Sequence, residues 1–362
     1  PVLTVDMSRL NQLRHFDRHS LLATFGAGTP GPDIEAQLRA HGCTLGHYPQ
    51  SFELSSLGGW VVTRSSGQQS RGYGRIEDLF AGGVLESPAG SWQLPPHPAS
   101  AAGPDLRQLV LGSEGRVGIL TEATVRARPL PESEEFHAIF FPNFARGQTA
   151  VRQIVQAGVP VSMLRLSTAV ETTTTLALAG HERLIGGLEK LLALRKVDEG
   201  KAMLMLGATG SSALVKMARK AAIEAANEYG GVHVGQTFGK QWVKGRFHTP
   251  YLRNTLWAMG YAVDTLETAV PWSDVDKTLA DIETALHTAL ADEGEKVHVF
   301  THLSHVYATG ASIYTTFLFR LDADPDVVLA RWRKLKVAAS TAVVANQGTI
   351  SHQHGVGADH AP

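Results

Sequence analysis

The sequence has almost no cysteine, no excess of either charge and no long apolar run. Cys43 is the single cysteine among 362 residues, which excludes an internal disulfide and a cysteine-based metal cluster. The 33 lysines and arginines nearly match the 34 aspartates and glutamates, so no net field attracts nucleic acid or an anionic membrane. No apolar stretch approaches the length of a membrane-spanning helix. We therefore expect a cytoplasmic globular protein in a reducing compartment.

Glycine is plentiful, with 36 residues, and its densest run with small hydroxyl residues is 51–67. Such a run lets backbone N–H groups approach a ligand closely, because few side chains stand in the way. Composition alone favours a plain glycine-rich turn between two strands. A ligand-binding role for this run is therefore indicated only if other stretches of the chain support it.

Four stretches occur together in one order. They are residues 46–79, which begin GHYPQS; 112–124, GSEGRVGILTEAT; 310–314, GASIY; and 351–357, SHQHGVG. In order and spacing they resemble the alkyldihydroxyacetonephosphate synthase branch of the vanillyl-alcohol-oxidase/PCMH flavoprotein superfamily. The resemblance extends over nearly the whole chain.

The resemblance implies an α+β fold with two domains. Residues 1–131 would form a PCMH-type FAD-binding domain, and residues 132–362 a cap that binds substrate. The short strands before residue 131 and the strand–helix units after residue 136 agree with this division. In the family a glycine-rich pyrophosphate loop comes before this point of the chain and a C-terminal helix comes after its last residue. We therefore expect a chain trimmed at both ends.

Hydrophobic periodicity and turn residues place the individual elements. Strands are predicted at 1–7, 22–28, 121–128, 138–141, 163–166, 202–206, 265–270, 297–307 and 312–319. Helices are predicted at 33–40, 106–111, 211–229 and 325–346, with two more that carry Val151 and Leu279. The threonine-rich stretch 171–175 is low in complexity and is interpreted as the flank of a loop.

The resemblance also implies FAD as a noncovalently bound cofactor. The residues implied to contact it are Pro49, Gln50, Ser51, Ser55, Ser56, Gly58, Gly59, Thr63, Arg64, Ser65, Ser66, Glu114, Gly115, Gly118, Ile119 and Leu120. Their hydroxyl groups are short donors suited to phosphate oxygens or ring carbonyls. His47 is the nearby histidine able to form a covalent flavin link, and the family does not use one.

Tyr314, His352 and His354 match the catalytic groups of the family near the flavin N5. An unperturbed phenol has a pKa of about 10 and needs a cationic neighbour to act near neutrality. Three consecutive histidines stand in the family where this chain has Gln353 in the centre, and glutamine cannot exchange a proton. On a strand the outer two would face one side. A partly exposed pair is the alternative, and no metal is expected, because no carboxylate or cysteine partner is evident nearby.

Arg253 and Arg165 match arginines of the family, and we expect them to bind an anionic substrate group. Arg253 suits a phosphate or carboxylate, with a helix-surface arginine as the alternative. Arg165 lies in an apolar strand, where a buried guanidinium needs an anionic partner. Alternation along a strand puts His302 and His305 on opposite faces, so one of them would enter the pocket as the missing base. Structural histidines are equally consistent.

The function implied by the resemblance is ether-lipid synthesis. Acyl-dihydroxyacetone phosphate would lose its fatty acid and gain a fatty alcohol through a transient flavin N5 adduct. The first alternative is an FAD-linked dehydrogenase or oxidase of a 2-hydroxy acid or alcohol. The second is a flavin-binding protein without turnover, which Gln353 leaves open. Expected partners are an anionic or lipid-like small molecule, a second copy of the chain in a homodimer, and a membrane surface, but not nucleic acid.

Overall fold

The structure is a computed structural model that describes residues 4–178, 182–248, 251–358 and 360. The chain divides into two compact units. Unit 1 comprises Pro1–Pro131 with Gln353–Gly355, and unit 2 comprises Glu132–His352 with Val356–Pro362. Gln353, His354 and Gly355 of the histidine motif therefore belong to unit 1, whereas the residues before and after them belong to unit 2.

Unit 1 is built on a five-stranded sheet. Its elements are β1 (Leu13–Asp17), β2 (Leu22–Gly26), α1 (Gly31–Arg39), β3 (Cys43–Thr44), α2 (Leu57–Thr63), α3 (Ser70–Tyr73), α4 (Ile76–Leu79), β4 (Phe80–Ser87), β5 (Gly90–Leu94), α5 (Arg107–Val110), β6 (Ile119–Arg126) and β7 (Arg128–Pro129). The sheet has the order β1-β2-β6-β4-β5, and β3 pairs with β7. Ala23 and Phe25 on β2 are fully buried, as the alternation of a half-buried strand requires.

The glycine-rich run forms a helix and not a turn between strands. α2 begins after Ser56, whose side chain accepts a hydrogen bond from the Gly59 N–H at 3.4 Å. The Gly58 N–H donates to the Ala27 carbonyl at 2.7 Å, and a Cβ on Gly58 would lie 3.0 Å from Ala27. These glycines therefore allow close packing of α2, and their N–H groups already have partners inside the unit.

Unit 2 contains a seven-stranded antiparallel sheet with the order β11-β8-β10-β9-β13-β14-β12. Its elements are β8 (Ser133–Phe141), α6 (Phe144–Gln156), β9 (Met163–Ser167), α7 (Ala169–Leu178), α8 (Glu182–Leu194), β10 (Ala202–Gly210), α9 (Ser212–Glu228), β11 (Val232–His233), α10 (Thr237–Gly245), α11 (Leu252–Ala258), β12 (Tyr261–Pro271), α12 (Val275–Thr288), β13 (His298–Val306), β14 (Gly310–Arg320) and α13 (Pro325–Ala345).

One face of this sheet is apolar and covered by helices. Leu166, Leu303 and Ile313 lie opposite one another on β9, β13 and β14 and pack with side chains of α6 and α9. Farther along, Phe317 and Phe319 pack against α12 and α13. Full burial of each such side chain contributes about 1.5–3 kcal/mol. The core therefore fixes these strands from one side and leaves polar residues on the other.

The threonine-rich stretch is a helix, so its interpretation as a loop flank is wrong. It lies within α7, where Glu171 and Thr172 are buried. Thr172 Oγ1 accepts a hydrogen bond from the Met203 N–H at 3.0 Å, and Thr174 Oγ1 donates to the Val170 carbonyl at 2.8 Å. These side-chain bonds to backbone, together with burial against the sheet, outweigh the weak helix propensity of threonine.

Most of the other predictions are confirmed, including the α+β class. The predicted strands from residue 22 onward are β2, β6, β8, β9, β10, β12, β13 and β14, with ends that differ by a few residues. The predicted helices are α1, α5, α6, α9, α12 and α13. The strand predicted at 1–7 is wrong for residues 4–7, which form none, and residues 1–3 lie outside the described residues. No helix in the described part of the chain is long and apolar enough to cross a membrane.

Candidate active site

A strip of polar residues crosses the sheet of unit 2 on the side opposite to the Leu303 core. His302 lies opposite Tyr314, and Tyr314 lies opposite Glu267. His302 also lies opposite Ser167, which is two residues after Arg165 on β9. Directly opposed residues point to one side of a sheet, as do residues two apart on a strand. Arg165, His302, Tyr314 and Glu267 therefore form one polar strip.

A buried carboxylate from α7 joins the strip. Glu171 Oε1 lies 2.6 Å from Arg165 Nη2 and 2.9 Å from His302 Nδ1. Glu171 is only 3% exposed, so the charge is enclosed together with its partners. It supplies the anionic partner that Arg165 needs on an apolar strand. Glu171 was not among the predicted site residues, and its one sequence signal, an acidic residue at the start of a helix, was hidden in the threonine-rich stretch.

Burial and the charges of Arg165 and Glu171 act together on the pKa of His302. Burial lowers the pKa of His302 and the Arg165 cation lowers it further, against the opposite effect of Glu171. Burial alone would raise the pKa of Glu171, but His302 and Arg165 lower it. We therefore assign an ionised Glu171 and a neutral His302 that donates its Nδ1–H to the carboxylate. Nε2 then carries the lone pair, and only Nδ1 is engaged by the described residues. A histidine oriented by a carboxylate in this way can act as a general base.

Tyr314 lies directly against this histidine. The rings of His302 and Tyr314 are stacked, with centroids 5.0 Å apart and planes inclined by 21°. The Tyr314 hydroxyl donates to Thr265 Oγ1 at 3.2 Å. Burial raises the pKa of Tyr314 to about 12, although Arg165 acts in the opposite direction. The phenol therefore stays protonated near neutral pH and can donate a hydrogen bond, but it cannot serve as the base.

A β-bulge places His305 on the same side as His302, so the prediction of opposite faces is wrong. Leu303 pairs with Ile313 and Val306 pairs with Ala311, so two residues of β13 oppose Ser312 alone. The side chain of Ser304 meets that of Ser312, with the two Oγ atoms 2.9 Å apart. Such an extra residue interrupts the alternation of a strand and redirects the side chains that follow.

A second group of polar residues gathers around His352. Its Nε2 lies 2.7 Å from the Tyr307 hydroxyl, and its ring centroid lies 5.1 Å from that of His305. On the other side, His352 Nδ1 is 3.5 Å from Glu267 Oε2, and its backbone N–H donates to Glu267 Oε1 at 3.2 Å. His352 is thus held at Nε2 by Tyr307 and through its backbone N–H by Glu267.

The predicted pairing of His352 with His354 on one side of a strand is wrong. Residues 352–354 form a bend, in which His352 is buried and His354 is exposed. Gln353 and His354 count with unit 1. So does Gly355, where an added Cβ would lie 3.2 Å from Glu114 Oε1 and 3.5 Å from Thr63 Cγ2. Within unit 1, this end of the motif therefore meets both segments predicted to hold the flavin.

A backbone hydrogen bond connects the two segments of unit 1 that are predicted to hold the flavin. The Glu114 N–H donates to the Val62 carbonyl at 2.9 Å. Arg64 and Glu114, with φ of 53° and 52°, both adopt the left-handed conformation that side chains disfavour. Strained residues of this kind cluster at binding sites, where the surrounding structure enforces them.

Several hydroxyl groups predicted to contact the flavin already bind within unit 1. Ser55 Oγ accepts from the Trp60 indole and donates to the Ser51 carbonyl, both at 2.7 Å. Thr63 Oγ1 donates to the Gly59 carbonyl at 2.9 Å. Ser65 Oγ lies 3.1 Å from His47 Nε2. These side chains hold the segment in shape, which leaves less capacity for a ligand than the sequence suggested.

Unit 1 nevertheless has features that fit FAD. His47 is buried and lies against Trp60, with ring centroids 4.7 Å apart. Burial, and to a lesser degree Arg75, lowers the pKa of His47 to about 3, so the ring is neutral. His47 Nδ1 and Ser113 Oγ are buried with no hydrogen-bond partner among the described residues. Unsatisfied buried polar atoms are costly, and two of them beside the predicted segments suit a polar cofactor.

Arg253 stands apart from the polar strip. It lies on the exposed helix α11, and no hydrogen bond or ion pair joins its side chain to a described residue. The structure thus brings Arg165, His302 and Tyr314 together but leaves Arg253 separate from them. Within the described ranges, no three histidine, cysteine, aspartate or glutamate side chains are grouped so that they could hold a metal ion.

Comparison with known proteins identifies both parts of the chain. A family model described as "FAD linked oxidases, C-terminal domain" matches residues 130–362. A second model, described as "FAD binding domain", matches residues 1–92. FAD is therefore the cofactor, as predicted, and the residues of unit 1 are consistent with it.

Several of the relatives that align with most of this chain are alkyldihydroxyacetonephosphate synthases. Alkyldihydroxyacetonephosphate synthase of Dictyostelium discoideum is 30% identical over 367 residues, which cover 99% of this chain and 60% of the relative. The Caenorhabditis elegans synthase is 31% identical over 368 residues, which cover 98% of this chain and 61% of the relative. A solved structure of alkyldihydroxyacetonephosphate synthase matches with a TM-score of 0.84 and 30% identity, over 96% of this chain and 63% of that one.

The chain spans about 60% of the length of these curated relatives. The resemblance predicted from four short motifs is confirmed, since the synthases align with this chain almost from end to end. The C-terminal model alone covers more than half of the sequence. The chain belongs to the family of FAD-linked oxidases.

Proposed function

We propose that the chain is an FAD-dependent enzyme that exchanges the fatty acid of acyl-dihydroxyacetone phosphate for a fatty alcohol, forming an ether lipid precursor. In this exchange the acid leaves, the alcohol oxygen bonds to carbon in its place, and the alcohol loses its proton. A base is therefore needed. The observation that carries the proposal is the contact of Glu171 with His302 beside Tyr314, which leaves His302 Nε2 available as that base.

In this proposal His302, Glu171 and Tyr314 each have one role. His302 takes a proton at Nε2, while Glu171 holds Nδ1–H and fixes the orientation of the ring. Tyr314, which stays protonated, turns its single O–H from Thr265 toward the reacting group and donates a hydrogen bond to it. FAD, when bound, supplies an electrophilic ring that side chains cannot provide. His302 thus replaces the proton acceptor that Gln353 cannot be.

The other predicted residues have supporting roles in this proposal. His352, which Tyr307 and Glu267 hold in place, positions its neighbour His305. His354 is exposed and remains a candidate for contact with the substrate. Arg165 uses Nη2 toward Glu171, and its other N–H groups can donate to an anionic substrate group.

Replacing Arg253 with alanine should weaken the binding of an anionic substrate by about 1.5–3 kcal/mol, the value of one charge-assisted hydrogen bond. The structure leaves this guanidinium without an internal partner, so its loss costs no contact within the described residues. Titration of acyl-dihydroxyacetone phosphate against both proteins measures the difference. Flavin content is the control and should not change. Unchanged substrate affinity would remove Arg253 from the site.

We expect FAD to be released when the protein is denatured in acid. The family that the sequence resembles uses no histidine link to the flavin, and His47, the histidine close to the predicted flavin segments, is buried with Ser65 at its Nε2. The absorbance of the supernatant after acid precipitation measures released flavin. A precipitate that keeps the yellow colour would show a covalent link and contradict this prediction.

Oxidation of a 2-hydroxy acid or alcohol is the second candidate function. The same observation supports it, because removing hydride from carbon requires that the hydroxyl proton be taken by a base such as His302. Anaerobic mixing of the flavoprotein with a panel of 2-hydroxy acids, and with acyl-dihydroxyacetone phosphate, separates the two. Lasting bleaching of the flavin supports the dehydrogenase, and release of fatty acid without net bleaching supports the synthase. No response to either would contradict both.

Three further expectations concern the substrate, the assembly and the location of the protein. The substrate is anionic and lipid-like, the working form is a homodimer in the cytoplasm, and the protein contacts a membrane peripherally. A substrate with a fatty chain supports the membrane contact, since such molecules reside in bilayers. Analytical ultracentrifugation and cell fractionation test the assembly and the compartment.

A further inference from the structure

A second cluster of titratable side chains lies in unit 2, where the edge strand β11 pairs with β8. His137 Nε2 and Arg219 Nη1 lie 3.0 Å and 2.7 Å from Glu135 Oε2. On its other side, His137 Nδ1 lies 3.0 Å from His233 Nε2. His137 is only 3% exposed, so the middle of this series of contacts is buried. The reaction proposed above uses none of these four residues.

The cluster lies on the side of the sheet away from the polar strip. A row of directly opposed residues crosses the sheet from β11 to β13: His233, Ile139, Leu204, Leu166 and Leu303. Opposed residues point to one side of a sheet, so His233 lies on the same side as the Leu303 core. The sheet itself therefore separates His233 from the candidate active site.

The contacts indicate where the two histidine rings carry their hydrogens. Burial alone would raise the pKa of Glu135, but His137 and Arg219 lower it. An ionised carboxylate only accepts, so we assign the hydrogen of His137 to Nε2, and its Nδ1 then accepts from His233 Nε2–H. Burial lowers the pKa of His233, and His137 and Arg219 lower it further, so this ring is neutral near pH 7. No hydrogen bond joins His233 Nδ1 to a residue in the described ranges, and its lone pair can accept from a hydroxyl group.

His233 lines an open groove of about 500 Å³, a volume large enough for a small organic molecule. Arg195, Asn227 and Gly230 line it as well, and none of its lining residues in the described part of the chain is an aspartate or glutamate. A second guanidinium lies close by, because a Cβ on Gly230 would be 3.2 Å from Arg146 Nη1. Neither arginine side chain forms an ion pair or hydrogen bond with any residue that the structure describes. The groove therefore combines two cations that lack an anion with one histidine acceptor.

We propose that this groove binds a small phosphate monoester that carries hydroxyl groups, such as a sugar phosphate. Arg195 and Arg146 donate to the phosphate oxygens, because the planar guanidinium matches their geometry. Two cations suit the dianion of a phosphate monoester better than the single charge of a carboxylate. His233 Nδ1 accepts from one ligand hydroxyl, and the amide of Asn227, which both donates and accepts, serves another. The site is separate from the ether-forming reaction and does not depend on which substrate the polar strip takes.

Isothermal titration calorimetry of the FAD-loaded protein with ribose 5-phosphate tests this groove without any measurement of turnover. One molecule should bind per chain, and ribose or inorganic phosphate alone should bind at least tenfold more weakly. Arg195→Ala and Arg146→Ala should each weaken binding about tenfold, through loss of a charge-assisted hydrogen bond. His233→Phe keeps a ring and removes the acceptor, so it should weaken the binding of ribose 5-phosphate but not that of inorganic phosphate.

Arg152→Ala is the matched control, since Arg152 is also an exposed arginine of α6 and has no ion pair with a described residue. This variant should bind ribose 5-phosphate like the wild type, and so should Arg253→Ala, which alters the proposed substrate site. Thermal melting should show that all variants are folded. Absence of binding, an equal loss in Arg152→Ala, or a loss confined to Arg253→Ala would overturn the proposal. So would inorganic phosphate that binds as tightly as ribose 5-phosphate.

Discussion

Replacing His302 with asparagine should lower turnover roughly 10²–10⁴-fold, the usual contribution of a general base. The asparagine amide can still donate a hydrogen bond to Glu171, as Nδ1–H does at 2.9 Å in the wild type. It has no basic lone pair in the position of Nε2. Single-turnover rates and the flavin spectrum should therefore show a slow enzyme with normal cofactor content. An asparagine variant as fast as the wild type would place the base elsewhere.

Glu171→Gln separates catalysis from packing in the same experiment, because it keeps the shape and removes the charge. The neutral form of His302 is the active one, so activity is lost as pH falls through its pKa. Burial and Arg165 lower that pKa, so the acid limb of kcat/KM in the wild type should lie below pH 6.5. Glu171 raises the pKa, and its loss should move the limb to still lower pH. A variant that is slower with an unmoved limb would show a structural role only.

Tyr314→Phe should reduce turnover roughly 10²–10⁴-fold as well, because it keeps the stacked ring and removes the proton. The lost hydrogen bond to Thr265 should cost stability by only about 1 kcal/mol. With its pKa near 12, Tyr314 should contribute no titration to the rate near neutrality. Turnover measured across pH, together with thermal melting, checks all three statements.

Tyr307→Phe is the matched control for this tyrosine. It removes a hydroxyl that lies 2.7 Å from His352 Nε2, on the residue that directly follows β13. In our proposal that hydroxyl positions a neighbour and touches no reacting atom, so its loss should cost much less than the loss of Tyr314. If Tyr314→Phe is fully active, Tyr314 is core packing and the proposed site is wrong.

The sequence predicted the parts of the site that depend on short-range pattern. Arg165 in an apolar strand required an anionic partner whatever the fold, and Glu171 is that partner. The flavin segments were predicted from motif order, and the FAD cofactor is confirmed. Strand periodicity placed His302 and Tyr314 on strands, but their contact depends on register, which periodicity does not contain.

The parts that the sequence did not predict depend on tertiary contacts. Glu171 lies among threonines of weak helix propensity, and burial against the sheet makes that stretch a helix. The glycine run forms α2 because Gly58 packs closely on Ala27, a contact between residues far apart in the chain. The side of the sheet that His305 faces follows from the opposite strand, which sets the position of the bulge.

The bulge in β13 also has a consequence for how the chain tolerates insertions and deletions. Ser304 and His305 together oppose Ser312, so β13 holds one residue more than uninterrupted pairing needs. Deleting Ser304 would restore a continuous ladder and leave His302 and Tyr314 paired as they are. Deleting a residue earlier in the strand, such as Thr301, would put one side of the deletion out of register, so that either His302 or the residues before it would face the other side of the sheet. Length differences among descendants of this sequence should therefore survive at the bulge and be eliminated on its N-terminal side.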